Sequence, residues 1–368
     1  MTHALQRIFL CVLLLAISAC QTNPPQHIPP KINVAILMPL TGQDGVLGRR
    51  LASLMELGLE DGLQGQIDLM TYDASDEKSA QLMMDKIIAK KTKIVLGPLF
   101  SQIAYAIMPK VEAHNITVLT LSNNPAIGGG NMYVFGHAPM RQTERVVNYC
   151  INKGYRDLIL LLPAGNYTKT MSNIIQDMAL KANISPVHTE FYGDEPESIA
   201  LSVAKISDIV DNLNEIEDNA TKPVIYVADD AKVLELVFSA FRKHNLDQKA
   251  LVIGDNRADI YFPDGIQLLY TGSLNYMNYG LDKRASEILN IHHLSFMDLM
   301  AYDLGRMTSH YLGQGLSQEQ FLSRLRSQEG YIGTSGSVIF NDNIAIRKYD
   351  IIERNGAQYK TIEKGNHP

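Results

Sequence analysis

Short apolar runs alternate with amphipathic helical patterns along almost the whole 368-residue sequence, and that alternation constrains the fold more than any other feature. Ile32–Met38 reads as a strand, and Gly45–Asp61 as a helix with Leu47, Leu51, Leu54, Met55 and Leu59 at helical spacing. Strand Ile67–Tyr72, helix Asp76–Lys91 (burying Ala80, Met83, Ile87 and Ile88), strand Ile94–Leu96, a helix from about Gln102 and strand Ile116–Leu121 follow. A second series opens with a helix at Arg141. It continues through strand Leu158–Leu162, helix Tyr167–Ala182, strand Pro186–Phe191, helix Pro196–Leu213, strand Val224–Val227, helix Ala231–His244 and strand Ala250–Ile253. Repeated βαβ units imply parallel sheets with helices on both faces. No fixed short period is visible, which argues against a solenoid.

The N-terminus follows other rules. MTHALQRIFLCVLLLAISAC holds one cation, Arg7, and then the apolar run Ile8–Ile17, too short to span a bilayer but suited to a secretory signal. Ile17-Ser18-Ala19-Cys20 resembles a bacterial lipobox, which makes residues 1–19 a lipoprotein signal peptide and Cys20 the lipidated residue; an ordinary cleaved signal is the alternative. By the same resemblance, Gln21 stands where an aspartate is associated with inner-membrane retention, which favours the outer membrane. Residues 20–30 carry four prolines in Gln21–Pro30. Such a segment extends to about 30 Å and acts as a semi-rigid tether, although a leader without a role has the same composition.

The remaining chain is long enough for two α/β lobes. Losing Arg7 leaves 32 Lys and Arg against 39 Asp and Glu, a net charge of −7, which speaks against nucleic acid as a partner. Cys150 is then the one cysteine left in the body, so no internal disulfide forms, and its place on the stripe Val146-Val147-Cys150 makes it a small buried hydrophobe.

Parallel sheets bind ligands at the carboxyl ends of their strands, where loops enter helix N-termini. Four segments supply polar punctuation there: Pro39–Gly42, Gly97–Ser101, Ser122–Pro125 and Gly128–Gly130. Ser101 begins the helix after Gly97-Pro98, either as an N-cap or as a hydroxyl facing a ligand carboxylate. Catalytic signatures are missing: there is no G-x-S-x-G, H-E-x-x-H or phosphate-binding glycine loop. Gly333–Ser337 reads as a turn before strand Val338–Phe340, and the adjacent His292 and His293 do not share a helix face as metal ligands. No metal, cofactor or catalytic residue is expected.

VAILMPLTGQDGVLGR, KIVLGPLFSQIAYAIMPKVEAHNITVLTLSNN, MYVFGHAPMRQTERVVNYCINKGYRDLILLLP and SFMDLMAYDLGRM resemble, in order and spacing, the type I periplasmic binding proteins. From GPLFS through LSNN to FGHAP the chain is similar to the bacterial lipoproteins called penicillin-binding protein activators. The resemblance implies an α/β fold of two Rossmann-like lobes with parallel sheets and a three-crossing hinge. Residues 31–138 and 256–329 are then expected in lobe one, and 139–255 and 330–368 in lobe two. In receptor relatives, hydroxyls after the third and fourth strands hold a ligand carboxylate; Ser101 and Ser122 match them, with Asn123 in the same loop. Tyr167 matches the aromatic that closes over the ligand. Asp255, and after it Asp229, match the acid that meets the ligand amine. Two departures stand out: the loop after the fourth strand is short, and Thr168 replaces a glycine common after the tyrosine. Asp229 also fits a helix cap, and Tyr167 a surface aromatic.

Two functions follow from the resemblance. The first is an anchored, non-catalytic regulator that activates a peptidoglycan synthase from the periplasmic face of the envelope, with a carboxylate-bearing small molecule in its cleft. The second is the solute receptor of an importer for branched-chain amino acids or related molecules. Either way the membrane is met through the lipid on Cys20. Cys20→Ala is expected to abolish fatty-acid incorporation and release the chain from membranes, because the tether has no other apolar area to insert. Equal labelling of wild type and variant by radioactive fatty acid contradicts the lipobox.

Overall fold

The computed structural model describes residues 32–62, 67–136, 139–184, 188–215, 221–229, 231–255, 266–313, 317–356 and 358–365. Cys20 and the expected signal and tether lie outside the described residues.

Two sheets organise the chain. The first uses β1 (Ile32–Met38), β2 (Ile67–Asp73), β3 (Ile94–Leu96), β4 (Thr117–Thr120) and β5 (Met132–Val134), all parallel, and is completed by β11 (Tyr331–Gly333), β12 (Gly336–Asn341) and β13 (Ile344–Lys348). Its order among the described residues is β11-β12-β13-β5-β4-β3-β1-β2. The second uses the parallel strands β6 (Leu158–Pro163), β7 (His188–Tyr192), β8 (Val224–Val227), β9 (Leu251–Gly254) and β10 (Gln267–Gly272). The antiparallel β14 (Asp350–Asn355) and β15 (Gln358–Glu363) finish it, in the order β15-β14-β10-β9-β8-β6-β7.

In lobe one, α1 (Gly45–Gly62), α2 (Glu77–Ala89) and α3 (Ser101–Ala113) link the parallel strands. The later helices α9 (Asn275–Asn278), α10 (Leu281–Leu289), α11 (Phe296–Leu312) and α12 (Gln318–Leu325) come before β11 in the chain. Lobe two carries α4 (Pro139–Asn152), α5 (Asn166–Lys181), α6 (Pro196–Asn214), α7 (Ala231–Lys243) and the short α8 (Leu246–Lys249). Each sheet separates two apolar clusters, as helices on both faces require. Cys150 sits in one of them, and burial pushes its thiol up to about 12, in keeping with a buried hydrophobe.

The lobe boundaries differ from expectation. The resemblance places residues 267–272 in lobe one, yet β10 pairs with β9 in the second sheet. It places residues 331–348 in lobe two, yet β13 joins the first sheet beside β5. The chain therefore crosses near residues 136–139, 272–275 and 348–350. The physical cause is a buried carboxylate. Asp303 on α11 is fully buried and accepts from the N–H groups of Thr334 and Ser335 (2.7 Å each) and from their hydroxyls (2.8 and 2.5 Å), which ties the β11–β12 turn to lobe one. Burial pushes the Asp303 carboxyl up, against the pull of these donors.

The apolar stripes also shift slightly. Leu47 is 38% exposed, because Gly48 lies against Pro39 and turns the glycine side of the first turn inward; Met84 rather than Met83 enters the core. Further along, α1 meets α11 backbone to backbone. A Cβ on Gly58 would stand 2.2 Å from the Tyr302 carbonyl oxygen, and one on Gly305 would stand 2.1 Å from that of Met55. Glycine to alanine inside a helix normally stabilises by about 0.5–1 kcal/mol. At Gly58 the sign reverses, because the clash is with backbone that has no rotamer to change. Gly58→Ala is expected to destabilise by about 2 kcal/mol, read as a lower urea midpoint at unchanged slope.

Candidate functional site

In the first sheet the strand order reverses at the gap between β1 and β3, and in the second between β6 and β8. At such a gap, adjacent loops leave on opposite faces and open a crevice at the carboxyl edge. The chain also leaves the first sheet from the carboxyl end of β5 and the second from that of β10. The crossings therefore border both carboxyl edges, and the residues predicted for ligand binding in Pro39–Gly42, Gly97–Ser101, Ser122–Asn123, Tyr167, Asp229 and Asp255 follow strands at those edges. Gly128–Gly130 does not. It precedes β5, and Gly130 lies beside Glu112 at the far end of α3, because the 3₁₀ turn Pro125–Ile127 returns the chain to the amino edge.

On lobe one, Gly97 brings the chain against β1: a Cβ there would stand 2.1 Å from the Leu37 carbonyl oxygen, and its φ is +99°. Glycine alone suits that position. The Gly97–Pro98 peptide is cis. The Pro98 carbonyl accepts from the Thr120 hydroxyl (2.6 Å), whose oxygen accepts the Ser122 N–H (3.0 Å), so the loops after β3 and β4 are cross-linked.

Ser101 is the first residue of α3, and Phe100 occupies the N-cap without a side-chain bond. The N-cap alternative for Ser101 therefore falls. Its half-buried hydroxyl makes no hydrogen bond among the described residues, at a helix start whose backbone donors have no side-chain cap. Ser122 is buried, and its Oγ accepts the Asn124 N–H at 3.2 Å; Asn123 beside it is exposed. The loop after β1 is held differently, by Asp73, which accepts from the Leu40 N–H (2.7 Å) and the Thr41 hydroxyl (2.5 Å).

On lobe two, Tyr167 is 50% exposed at the start of α5. Thr168, where a glycine was expected, is nearly buried and donates its hydroxyl to the carbonyls of Pro163 (2.6 Å) and Gly165 (3.0 Å). Asp229 accepts from the Tyr192 hydroxyl at 2.7 Å, and Asp255 is only 2% exposed. The structure thus brings the predicted residues of each lobe to one sheet edge, with both candidate acids engaged or buried.

Sequence reasoning missed Asp73, Tyr192 and Arg347. Arg347 is buried beside the first and third crossings, donates Nη1 to the Gly136 carbonyl (3.0 Å) and stacks over Phe135 at 4.5 Å. Burial lowers its pKa, opposed by Tyr349 and Asp303. In sequence it is one polar residue in an alternating strand, so no local signal distinguished it. Among the described residues no group of His, Cys, Asp and Glu could hold a metal ion, and His292 instead pairs through Nδ1 with Ser286 at 2.9 Å. No described helix is long and apolar enough to cross a membrane.

The periplasmic binding protein family matches residues 31–285. An uncharacterized protein of Rickettsia prowazekii is 43% identical over 360 residues, 96% of each chain. Among solved structures, a Rhodospirillum rubrum protein described as a branched-chain amino acid ABC transporter superposes with a TM-score of 0.72 at 16% identity, over 90% of this chain and all of that one. The C-domain of Haemophilus influenzae LpoA, described as a regulator of PBP1A, gives 0.62 at 16% identity over 90% of this chain and 99% of the other. At these identities the structural likeness speaks for the fold.

Because Ser101 Oγ makes no hydrogen bond among the described residues while the Thr168 hydroxyl serves two carbonyls, the two differ in their effect on stability. Ser101→Ala is expected to change unfolding free energy by no more than about 0.5 kcal/mol. Thr168→Val is expected to cost about 1 kcal/mol. Denaturant titration of both variants checks this.

Proposed function

The chain belongs to the periplasmic binding protein family, and from that premise we propose that it is an envelope-anchored, non-catalytic lipoprotein that activates a penicillin-binding protein. The observation that carries this reading is the internal use of the groups a free-amino-acid receptor would need. Asp229 is engaged by Tyr192, Asp255 is buried, and the short loop after β4 closes on itself through Ser122 and Asn124. A ligand ammonium needs an available carboxylate to offset its desolvation. The activator-like run from GPLFS through LSNN to FGHAP supports the same reading.

One observation favours the second reading, a solute receptor of an importer. The uncommitted Ser101 hydroxyl, at the first turn of a 13-residue helix beside the crevice, suits a carboxylate. Both readings accept a small carboxylate in the cleft and differ in what its occupancy serves.

The experiment is a pull-down of residues 31–368 with the periplasmic part of a peptidoglycan synthase, followed by a lipid II polymerisation assay. Binding and a raised glycan-chain or cross-linking rate are expected. Absence of both, together with micromolar binding of a free amino acid that Ser101→Ala weakens by about 1–2 kcal/mol, transfers the function to the receptor.

A further inference from the structure

Away from the crevice, α11, the turn after α12 and the edge strand β11 enclose a pocket of about 380 Å³. That volume falls in the range of small-molecule sites. One side is aromatic. Tyr311 and Tyr331 pack edge to face with ring centroids 6.3 Å apart, and the His310 ring lies 5.5 Å from Tyr311 and 6.4 Å from Tyr331. Burial pushes both tyrosine hydroxyls up, so they remain uncharged. Ile332 adds an exposed apolar side chain at the rim.

The other side is cationic. Arg306 is half-buried, stacks over Tyr279 at 4.4 Å and donates Nη1 to the Tyr331 hydroxyl at 3.3 Å. It has no carboxylate partner among the described residues, and its Nε and Nη2 make no hydrogen bond there. A guanidinium held flat by an aromatic face with two donors uncommitted is arranged for bidentate capture of a carboxylate. Arg324 supplies a second cation. Its 3.4 Å pair with the exposed Glu329 is a weak rim contact that an incoming anion can replace.

A peptide strand is a poor occupant. β11 ends the sheet, but the Gly330 and Ile332 carbonyls already accept from the hydroxyls of Tyr311 and Tyr279, and Asn275 donates to the Gly333 carbonyl. The edge is thereby closed to strand addition. We propose that lobe one carries a second binding site, outside the inter-lobe crevice, for a small organic carboxylate with a flat apolar body: Arg306 and Arg324 hold the carboxylate, and Tyr311, Tyr331 and Ile332 receive the body.

The test is calorimetric titration of the full chain, in neutral detergent, with phenylacetate, with its neutral analogue phenylacetamide and with inorganic phosphate. Phenylacetate is expected to bind, and phenylacetamide roughly tenfold more weakly, the loss set by one charge-assisted pair. Arg306→Gln is expected to abolish the preference for the carboxylate. Arg324→Gln changes an exposed side chain outside the core, so it keeps the test valid if Arg306→Gln fails to fold; it is expected to weaken phenylacetate several-fold. Ser101→Ala is expected to leave this binding unchanged. No binding of phenylacetate, equal binding of acid and amide, stronger binding of phosphate, or a loss caused by Ser101→Ala rather than by the arginine variants each overturns the proposal.

Discussion

Lobe one depends on a backbone approach between helices that lie far apart in sequence. α1 and α11 touch through Gly58 and Gly305, where each bare Cα faces a carbonyl of the other helix. Their flanks are fastened by charge. Arg50 meets Asp298 across 248 residues through Nε (2.8 Å) and Nη2 (2.7 Å), and Asp61 accepts from Tyr302 (2.5 Å) and Arg284. Asp298 is buried and also closes a capping box with Ser295, so a single carboxylate starts α11 and anchors it. Since α11 must return to α1 after lobe two has been built, lobe one is discontinuous. The first two crossings follow from that return, and the third from β14 and β15 going back to the second sheet.

The alternation of apolar runs with amphipathic helices was enough to locate β1–β4, β6–β9 and the helices between them, because each is a βαβ unit with its period visible over several turns. The C-terminal strands were harder. β11, β12 and β13 are short, lie in hairpins and carry polar residues such as Arg347 and Lys348 that resemble surface. Which sheet they join is decided by Asp303 accepting four bonds from Thr334 and Ser335, and no spacing rule encodes a contact made across 31 residues. β10 was misplaced for a related reason: its apolar run Leu268-Leu269-Tyr270 fits either sheet, and its partners β9 and β14 are chosen by topology.

The candidate site was legible to the level of the loop but not of the atom. Ser101, Ser122 and Asn123 follow strands at the carboxyl edge, as polar residues after apolar runs suggest, and Tyr167, expected there from the resemblance alone, follows β6. Whether a hydroxyl or carboxylate there is available is a separate question, settled by how neighbours near and far in sequence fold around it. Tyr192 reaches Asp229 from 37 residues away, and Asn124 donates to Ser122 from two residues away. Thr168 shows the same limit from the other side, since its hydroxyl satisfies the carbonyl of Pro163 at the end of β6 and that of Gly165 at the N-cap of α5.

The hinge and the binding loops share atoms, which bears on how such a fold communicates. Gly136, in the first crossing, sits so close to the loop after β4 that a Cβ on it would stand 1.9 Å from the Ser122 carbonyl oxygen. The Gly136 carbonyl in turn accepts from Arg347, one residue before the third crossing begins. Two crossings and the Ser122 loop are therefore packed as one unit, without slack between them. A ligand that displaces that loop must displace the first crossing, and a change of lobe angle at that crossing must move Ser122. Packed interfaces of this kind shift between discrete arrangements rather than deform gradually. Gly136 is thus the point at which the loop after β4, the first crossing and Arg347 before the third crossing meet.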